Sequence, residues 1–196
     1  MCIRDSAYVG SFGFDLHGGA DVALSQLTLV HPDGRAELVG EPLSFPNGLV
    51  ITPDGTTLIA AESFGNRLSA LPIGPGGALG PRRTFAEFGP FPGEGAADAV
   101  MGMLTFGPDG ICLDAEGAVW VTDALGQKVV RVADGGAVLE EIDTAPDGVF
   151  ACMLGGPDGR TLYLCAAPDF FEAPRRSARE AKILTVDVDV PRAGRP

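Results

Sequence analysis

The stretch ICLDAEGAVWVTDA, residues 111–124, decides the fold class of this chain. A short apolar run leads into a polar turn that ends at Gly117, and the residues after the turn alternate between apolar and polar. Glycine supports the backbone conformation of tight turns, and alternation with a period of two is typical of a strand. The stretch therefore predicts a β-hairpin.

Two further stretches repeat this pattern, LVITPDGTTLIAAES at 49–63 and ACMLGGPDGRTLYLCAA at 151–167. Their turn glycines, Gly55 and Gly159, stand 62 residues before and 42 residues after Gly117. Each hairpin is followed by one or two more short strands, and no amphipathic helix of four turns interrupts them. Short strands in sets of about four, repeated every ~40–60 residues, are typical of a β-propeller. A sandwich or a β-solenoid is the alternative, and the unit of a hairpin plus two strands favours the propeller over both.

We expect this all-β propeller to be an open arc. At ~40–50 residues per blade, the chain holds about four blades. The first is incomplete, because AYVGS at 7–11 matches only the second strand of a hairpin. A six-bladed parent needs on the order of a hundred further residues upstream. Since a propeller hides its sheet edges by closing on itself, an arc should leave blade faces bare and be prone to association.

The first six residues, MCIRDS, match the translation of a common sequencing-library adapter end. Segments of such origin are excluded from fold reasoning. We therefore divide the chain into a non-native segment, residues 1–6, and the C-terminal part of a single propeller domain, residues 7–196. On this hypothesis the gene begins upstream and Cys2 is not native.

Composition and charge exclude several classes of protein. With 45% hydrophobic and 20% charged residues, the chain is not a disordered segment. Its net charge of −12 predicts no nucleic-acid partner and no anionic membrane surface, and Gly and Pro interrupt every apolar run before the ~18 residues of a membrane span. No two cysteines have CxxC spacing, and Met1–Ser6 has no apolar core of a signal peptide. We therefore expect buried free thiols and a cytoplasmic location.

Two oxygen-bearing side chains occupy equivalent places on consecutive hairpins. Asn47, in Phe-Pro-Asn-Gly, stands eight residues before Gly55, and Asp109 stands eight residues before Gly117. Because the first strand of each blade lines the central channel of a propeller, we expect both side chains at the channel mouth. Amide and carboxylate oxygens suit a hard divalent cation. Capping of tight turns is the alternative role for this pair.

Pro-Asp-Gly occurs five times, and Asp-Gly is first of all a turn signal. Three of its aspartates lie between hairpin strands and are assigned to outer turns: Asp33, Asp54 and Asp158. Asp147 comes several residues too early to be equivalent to Asp109. The equivalent place on the last hairpin falls on Ala151, or on Phe150 if an extra glycine is allowed for.

The chain resembles the C-terminal two-thirds of the SMP-30/gluconolactonase (regucalcin-like) family. The resemblance covers nearly everything from residue 7 to 196. The residues that carry it are FPNGLVITPDGTTLIAAESFGNRL, GPDGICLDAEGAVWVTDALGQKVVRV and FACMLGGPDGRTLYLCAA. The resemblance implies a six-bladed propeller that binds one divalent metal in its channel and hydrolyses sugar lactones or related esters.

The resemblance also implies residues for the site. The family holds its metal with a Glu near the N-terminus, an Asn and an Asp. Asn47 in PNG matches the Asn, Asp109 in PDGICLDAEG matches the Asp, and the Glu has no counterpart here. The cofactor so implied is one cation, Ca²⁺, Zn²⁺, Mn²⁺ or Mg²⁺, which would polarise the carbonyl of a small lactone or ester while Asp109 assists the attack of water. No substrate-binding residue is assigned.

We accordingly expect a lactonase-type hydrolase acting on a cyclic ester, with the chain as given poorly active because the Glu is missing. The alternative is a non-catalytic propeller that binds metal or a partner. Glu62 and Asp123, which follow the second strands of their hairpins, either support the site residues or are simply solvated, and we favour the solvated interpretation. The loop at 88–107 either covers the channel mouth or is plain irregularity.

Overall fold

A computed structural model describes residues 2–3 and 6–194 of the chain. The described residues are nearly all-β, as predicted. The strands up to Glu87 are β1 (Cys2–Ile3), β2 (Ser6–Val9), β3 (Asp21–Val22), β4 (Ser25–Val30), β5 (Ala36–Leu43), β6 (Pro46–Ile51), β7 (Thr57–Glu62), β8 (Arg67–Pro72) and β9 (Arg83–Glu87). The later strands are β10 (Gly95–Ala96), β11 (Pro108–Leu113), β12 (Val119–Asp123), β13 (Lys128–Val132), β14 (Val138–Asp143), β15 (Gly148–Gly155), β16 (Thr161–Ala167) and β17 (Lys182–Asp187).

Helical structure in the described part of the chain is short. It consists of α1 (Ala97–Met101), α2 (Glu172–Arg175) and a 3-10 turn at Pro75–Gly77. None of the described helices has the length and hydrophobicity needed to cross a lipid bilayer.

Four antiparallel sheets follow one another along the chain, each built from consecutive neighbouring strands. Sheet I contains β1, β2, β4 and β5, and sheet II contains β6 to β9. Sheet III contains β11 to β14, and sheet IV contains β15 to β17. A small ribbon pairs β3 with β10. This order of a hairpin followed by outer strands is the predicted repeat.

Sheet IV, and not sheet I, has fewer than four strands. Sheet I is completed by β1, in which Cys2 pairs with Ala7 and Ile3 with Ser6. The edge of β2 has free backbone groups, so it can pair with any extended backbone that turns back onto it. Of the residues assigned to the adapter, Met1, Arg4 and Asp5 lie outside the described residues.

The turns between hairpin strands are closed as the sequence predicts. The carboxylates of Asp33, Asp54 and Asp158 each accept a hydrogen bond from the backbone N–H two residues later, at 2.9 to 3.1 Å. The following glycines have positive φ, for example 73° at Gly55. The assignment of these three aspartates to outer turns is confirmed.

Consecutive sheets pack face to face through apolar layers. The layer between sheets I and II includes Leu27, Leu43 and Leu58. The layer between sheets II and III includes Ile59, Phe85 and Val121. The layer between sheets III and IV includes Trp120, Leu162 and Leu164. Burial of these side chains stabilises the row of sheets by about 1.5–3 kcal/mol each.

Sheet IV exposes the face that points away from sheet III. Met153 pairs with Tyr163, and Ile183 with Cys165, along this face. Ile183 is 61% exposed, and Phe171, which lies between β16 and β17, is 60% exposed. Exposed apolar side chains that lie together normally mark a contact surface. The row of sheets therefore ends in an exposed, partly apolar face.

Candidate functional site

Asn47 and Asp109 lie at equivalent irregularities of sheets II and III. The register between β6 and β7 shifts between Pro46 and Leu49, and the register between β11 and β12 shifts between Pro108 and Ile111. A β-bulge of this kind leaves one residue out of the pairing and redirects its side chain. The structure therefore confirms that the two residues occupy equivalent places.

A glycine after each of these residues lets neighbouring inner strands approach closely. A Cβ on Gly48 would collide with the Asp109 carbonyl oxygen and would lie 2.8 Å from the Ile111 nitrogen. A Cβ on Gly110 would lie 2.5 Å from the Ala151 Cα. Only a residue without a side chain fits such contacts. The close approach of β6 and β11 brings Asn47 beside Asp109.

The two predicted site residues lie side by side. Burial raises the pKa of Asp109, and the amide of Asn47 is near enough to that carboxyl to lower its pKa in part. Both side chains are half-buried. The Asn47 amide nitrogen, Nδ2, donates a hydrogen bond to Ser63 Oγ at 3.2 Å. Asn47 is therefore held by a hydroxyl group beside the carboxyl of Asp109.

Asp109 is a carboxyl group in a poorly solvated place. Burial raises the pKa of Asp109 to about 7, and the hydrogen bond from Asn47 opposes this shift only in part. Within the described residues, Asp109 has no Lys, Arg or His partner within 4.0 Å. A buried carboxylate that lacks a positive partner favours its neutral form. The site is therefore short of one positive charge.

This shortage fits a divalent cation. Hard cations take carboxylate and amide oxygens as ligands, and a cation beside Asp109 would favour the ionised form. No cluster of three or more His, Cys, Asp or Glu that could hold a metal occurs in the part of the chain that the structure describes. Asn47 and Asp109 can thus supply two ligands, and further ligands would have to come from water or other residues.

Phe150 occupies the corresponding place in sheet IV. The register between β15 and β16 shifts between Val149 and Ala151. A Cβ on Gly110 would lie 2.9 Å from the carbonyl oxygen of Phe150. Of the two positions that the sequence offered, Phe150 and not Ala151 is therefore equivalent to Asp109. The row of equivalent positions runs Asn47, Asp109, Phe150, so its third member offers an apolar ring and no oxygen ligand.

The interpretation of Glu62 and Asp123 as solvated is wrong. Glu62 is 0% exposed and Asp123 is 1% exposed. Glu62 accepts hydrogen bonds from Arg67 at 2.8 Å and from the Ser44 backbone N–H at 2.8 Å. Asp123 accepts from the backbone N–H groups of Gly107 and Leu125 at 2.9 and 3.0 Å. Each carboxylate ties down the segment that leads into a site residue of its own sheet.

A sequence signal for these two carboxylates was available. In both hairpins the acid is followed three residues later by glycine, Gly65 after Glu62 and Gly126 after Asp123. A Cβ on either glycine would collide with the acidic side chain. The glycine makes room for a carboxylate that turns back into the sheet. The alternation of apolar and polar residues does not reveal the burial of these carboxylates, because that burial depends on a turn that folds over the side chain.

The segment 88–107 packs beside the site. Its helix α1 buries Ala97 and Val100 against a cluster that contains Phe45 and Phe64, whose rings stack with centroids 5.1 Å apart. Phe45 stands two residues before Asn47 and has a φ of 57°, a left-handed conformation. The segment is therefore packed against the chain that leads into Asn47.

Among the cysteines whose side chains the structure describes, two lie close to each other behind Asp109. Cys112 and Cys152 are buried with their sulfur atoms 3.7 Å apart, whereas Cys165 is exposed. The expectation of buried thiols therefore fails for Cys165, which lies on the bare face of sheet IV. The pKa of the Cys152 thiol is raised by its hydrogen bond with Cys112 and by its burial. A buried neutral thiol is a small apolar core group.

Comparisons with known proteins agree with this geometry. The 6-deoxy-6-sulfogluconolactonase of Pseudomonas putida is 28% identical over 155 residues, which cover 79% of this chain and 47% of that protein. A gluconolactonase from Xanthomonas campestris is 25% identical with a TM-score of 0.56, over 75% of this chain and 43% of that one. The calcium-binding protein regucalcin from Agrobacterium tumefaciens has a TM-score of 0.64 at 21% identity, over 87% of this chain and 54% of that one.

The chain therefore spans about half the length of these relatives. Its sheets match the fold of the solved relatives along most of its own length. The sequence model described as SMP-30/Gluconolactonase/LRE-like region matches residues 2–168. The chain belongs to the SMP-30/gluconolactonase/LRE-like family.

Proposed function

We propose that this chain carries part of the active site of a metal-dependent hydrolase that opens sugar lactones or related cyclic esters. The observation that carries the proposal is the placement of Asn47 and Asp109 at equivalent bulges of neighbouring, closely approaching strands. The relative from Pseudomonas putida is named for a sugar-acid lactone, which supports this substrate class.

Asn47 and Asp109 would hold one divalent cation, Ca²⁺, Zn²⁺, Mn²⁺ or Mg²⁺. When bound, the cation supplies a positive charge that polarises the lactone carbonyl and stabilises the oxyanion formed on attack. The amide of Asn47 is neutral, so the pair adds a single negative charge to the site. That keeps the positive charge of the site available to the substrate.

Asp109 serves the attacking water in this proposal. Without metal its pKa of about 7 gives the carboxyl a proton affinity suited to neutral pH. A cation nearby lowers that pKa again, so in the loaded site Asp109 orients the water through a hydrogen bond and takes its proton during attack. General-base assistance of this kind contributes about 10²–10⁴-fold in rate.

We also propose that residues 7–196 are the C-terminal part of a six-bladed propeller. The bare face of sheet IV and the twofold greater length of the relatives support this. A segment outside this chain would then supply the Glu ligand that the family resemblance implies. The free cysteines are compatible with the reducing cytoplasm that we propose as its location.

The test uses the complete parent protein with each of the four cations added after chelation. Ring opening of glucono-δ-lactone, followed by base uptake at constant pH, should require metal. Asp109→Asn should lower the rate at least about a hundredfold. Asp54→Asn, which removes an outer-turn carboxylate, is the matched control and should retain the rate.

Full activity of Asp109→Asn with metal present would refute both roles of this residue. Tight cation binding without hydrolysis would instead favour a non-catalytic metal-binding propeller. We expect the 196-residue chain alone to hydrolyse the lactone poorly and to associate in size-exclusion chromatography, because one sheet face is bare.

A further inference from the structure

Ser63 connects the two site residues. It follows β7 directly, and its Oγ donates a hydrogen bond to the Pro108 carbonyl oxygen at 2.5 Å. Ser63 Oγ also accepts a hydrogen bond from Asn47 Nδ2 at 3.2 Å. Pro108 immediately precedes Asp109 in the chain. One hydroxyl group therefore contacts the side chain of the first site residue and the backbone next to the second.

The hydrogen-bond chemistry of this serine settles which way the Asn47 amide faces. A hydroxyl has one proton, and a carbonyl oxygen can only accept, so the Ser63 proton is committed to Pro108. Ser63 must then accept from Asn47, which requires the NH₂ end of the amide on that side. This orientation follows from the two bonds of Ser63 alone.

The amide oxygen Oδ1 takes no part in the bond to Ser63. If the amide were rotated by half a turn, Oδ1 would face the lone pairs of Ser63 Oγ, and that contact would be repulsive. We infer that Ser63 is a positioning residue that presents Asn47 Oδ1, and not Nδ2, to a cation. The inference rests on the proposed function, because it assigns Asn47 to the metal.

Sheet III contains a natural comparison. Ala124 follows Asp123 as Ser63 follows Glu62, and the backbone N–H groups of both residues donate to the chain two residues before the site residue. The site residue of sheet III is Asp109, a carboxylate whose two oxygens are equivalent. A carboxylate needs no group to choose its orientation, and there the hydroxyl is absent.

The experiment compares Ser63→Ala with Ser63→Thr and with Ser44→Ala in the complete parent protein. Thr retains the hydroxyl. Ser44 is a buried serine of the same part of the chain whose Oγ has no hydrogen-bond partner in the described structure, so its removal controls for loss of a buried hydroxyl. The first readout is the NMR signal pair of the Asn47 side-chain NH₂ in metal-free protein. The second is the affinity for Ca²⁺ and Mn²⁺ by titration calorimetry.

We expect Ser63→Ala to shift the Asn47 NH₂ signals and to speed their exchange with water, while Ser63→Thr and Ser44→Ala leave them in place. Cation affinity should fall about tenfold or more in Ser63→Ala alone, as for other groups that orient metal ligands. Unchanged Asn47 signals in Ser63→Ala would overturn the inference. So would unchanged cation affinity in a wild type that binds.

The two proposals fail in different ways. A wild type that binds no cation in the complete parent refutes the metal site, and the NH₂ signals still decide whether Ser63 orients the amide. If Ser63→Ala does not fold, as judged by its thermal transition, Ser63→Cys replaces the hydroxyl by a weak, longer donor and should weaken cation binding while Ser63→Thr does not.

Discussion

Two carboxylates, the fully buried Glu62 and the half-buried Asp109, have opposite electrostatic environments. Burial opposes ionisation of Glu62, but Arg67, the Ser44 N–H and Ser69 together outweigh it and lower its pKa. Burial also raises the pKa of Asp109, and there only the Asn47 amide opposes it. The first carboxylate is fully compensated by its own chain and stabilises the fold. The second is left in need of a positive charge, which is the property of a binding site.

Removal of the compensated carboxylate should have the largest effect. Glu62→Gln leaves Arg67 without its buried partner and weakens the bond to the segment before Asn47. Breaking a buried ion pair from one side costs about 3–5 kcal/mol. Urea denaturation should show this loss. Asp109→Asn, measured without metal at the same pH, should show none, and an equal loss in both variants would erase the distinction between the two carboxylates.

Gly48→Ala should affect Asp109 and spare Glu62. The added Cβ would collide with the backbone of β11 at Asp109 and Ile111, so β6 and β11 must separate. Overpacking of this kind costs about 1–3 kcal/mol. The separation admits water to Asp109 and should move its pKa down towards the ordinary 3.8.

The measurement is the titration of both carboxyl groups by NMR. Gly74→Ala is the control, since an added Cβ there meets nothing closer than 3.5 Å. An unchanged Asp109 titration in a destabilised Gly48→Ala would show that burial between β6 and β11 is not what raises the pKa.

The stability of the metal-free chain should fall as the pH rises through neutrality. Asp109 has a pKa of about 7 in the folded state against 3.8 ordinarily, so folding favours its protonated form. The contribution is fully present below about pH 4 and is lost as the pH rises to about 7. Asp109→Asn removes this dependence, and should be more stable than wild type at pH 8 by about 1–3 kcal/mol, reduced for the partial exposure of the group.

Thermal unfolding with a chelator present, at pH 4 and pH 8, checks this sign. The two proteins should coincide at pH 4 and separate at pH 8. Separation at the acidic end would mean that a different group controls the pH dependence.

The two arginines around Glu62, Arg67 and Arg82, should differ in their contribution to the free energy of unfolding. Arg67 makes two bonds to the carboxylate, at 2.8 and 3.1 Å, whereas Arg82 lies at 3.3 and 3.4 Å and is more exposed. We expect Arg82→Met to cost less than about 1 kcal/mol, because its contacts with the carboxylate are longer and Arg67 still pairs with Glu62. Arg67→Met should cost clearly more in the same urea titration. Equal losses of unfolding free energy in the two variants would show that the shorter contacts of Arg67 do not make it the more important partner of Glu62.

Several features of the fold and the site could be predicted because they are local. The alternation in 111–124 and the Asp-Gly turns determine hairpins without help from the rest of the chain. The equal spacing of Asn47 and Asp109 from their turn glycines determined that they occupy equivalent places, since a repeat preserves position within its unit. The number of strands in sheet IV and the addition of β1 to sheet I could not be predicted. Both depend on which sheet edge a strand pairs with in the folded chain.

Local patterns did not determine what the side chains in the site experience. Ser63 is separated from Pro108 by 45 residues, and the Arg82 that helps to compensate Glu62 is separated from it by 20. Burial raises the pKa of Asp109, and Gly48 lets a strand of another sheet lie against the backbone at Asp109. The sequence by itself determined which residues come to the site and in what order. Only the tertiary structure decided which carboxylate is compensated, because solvation and charge depend on neighbours in space.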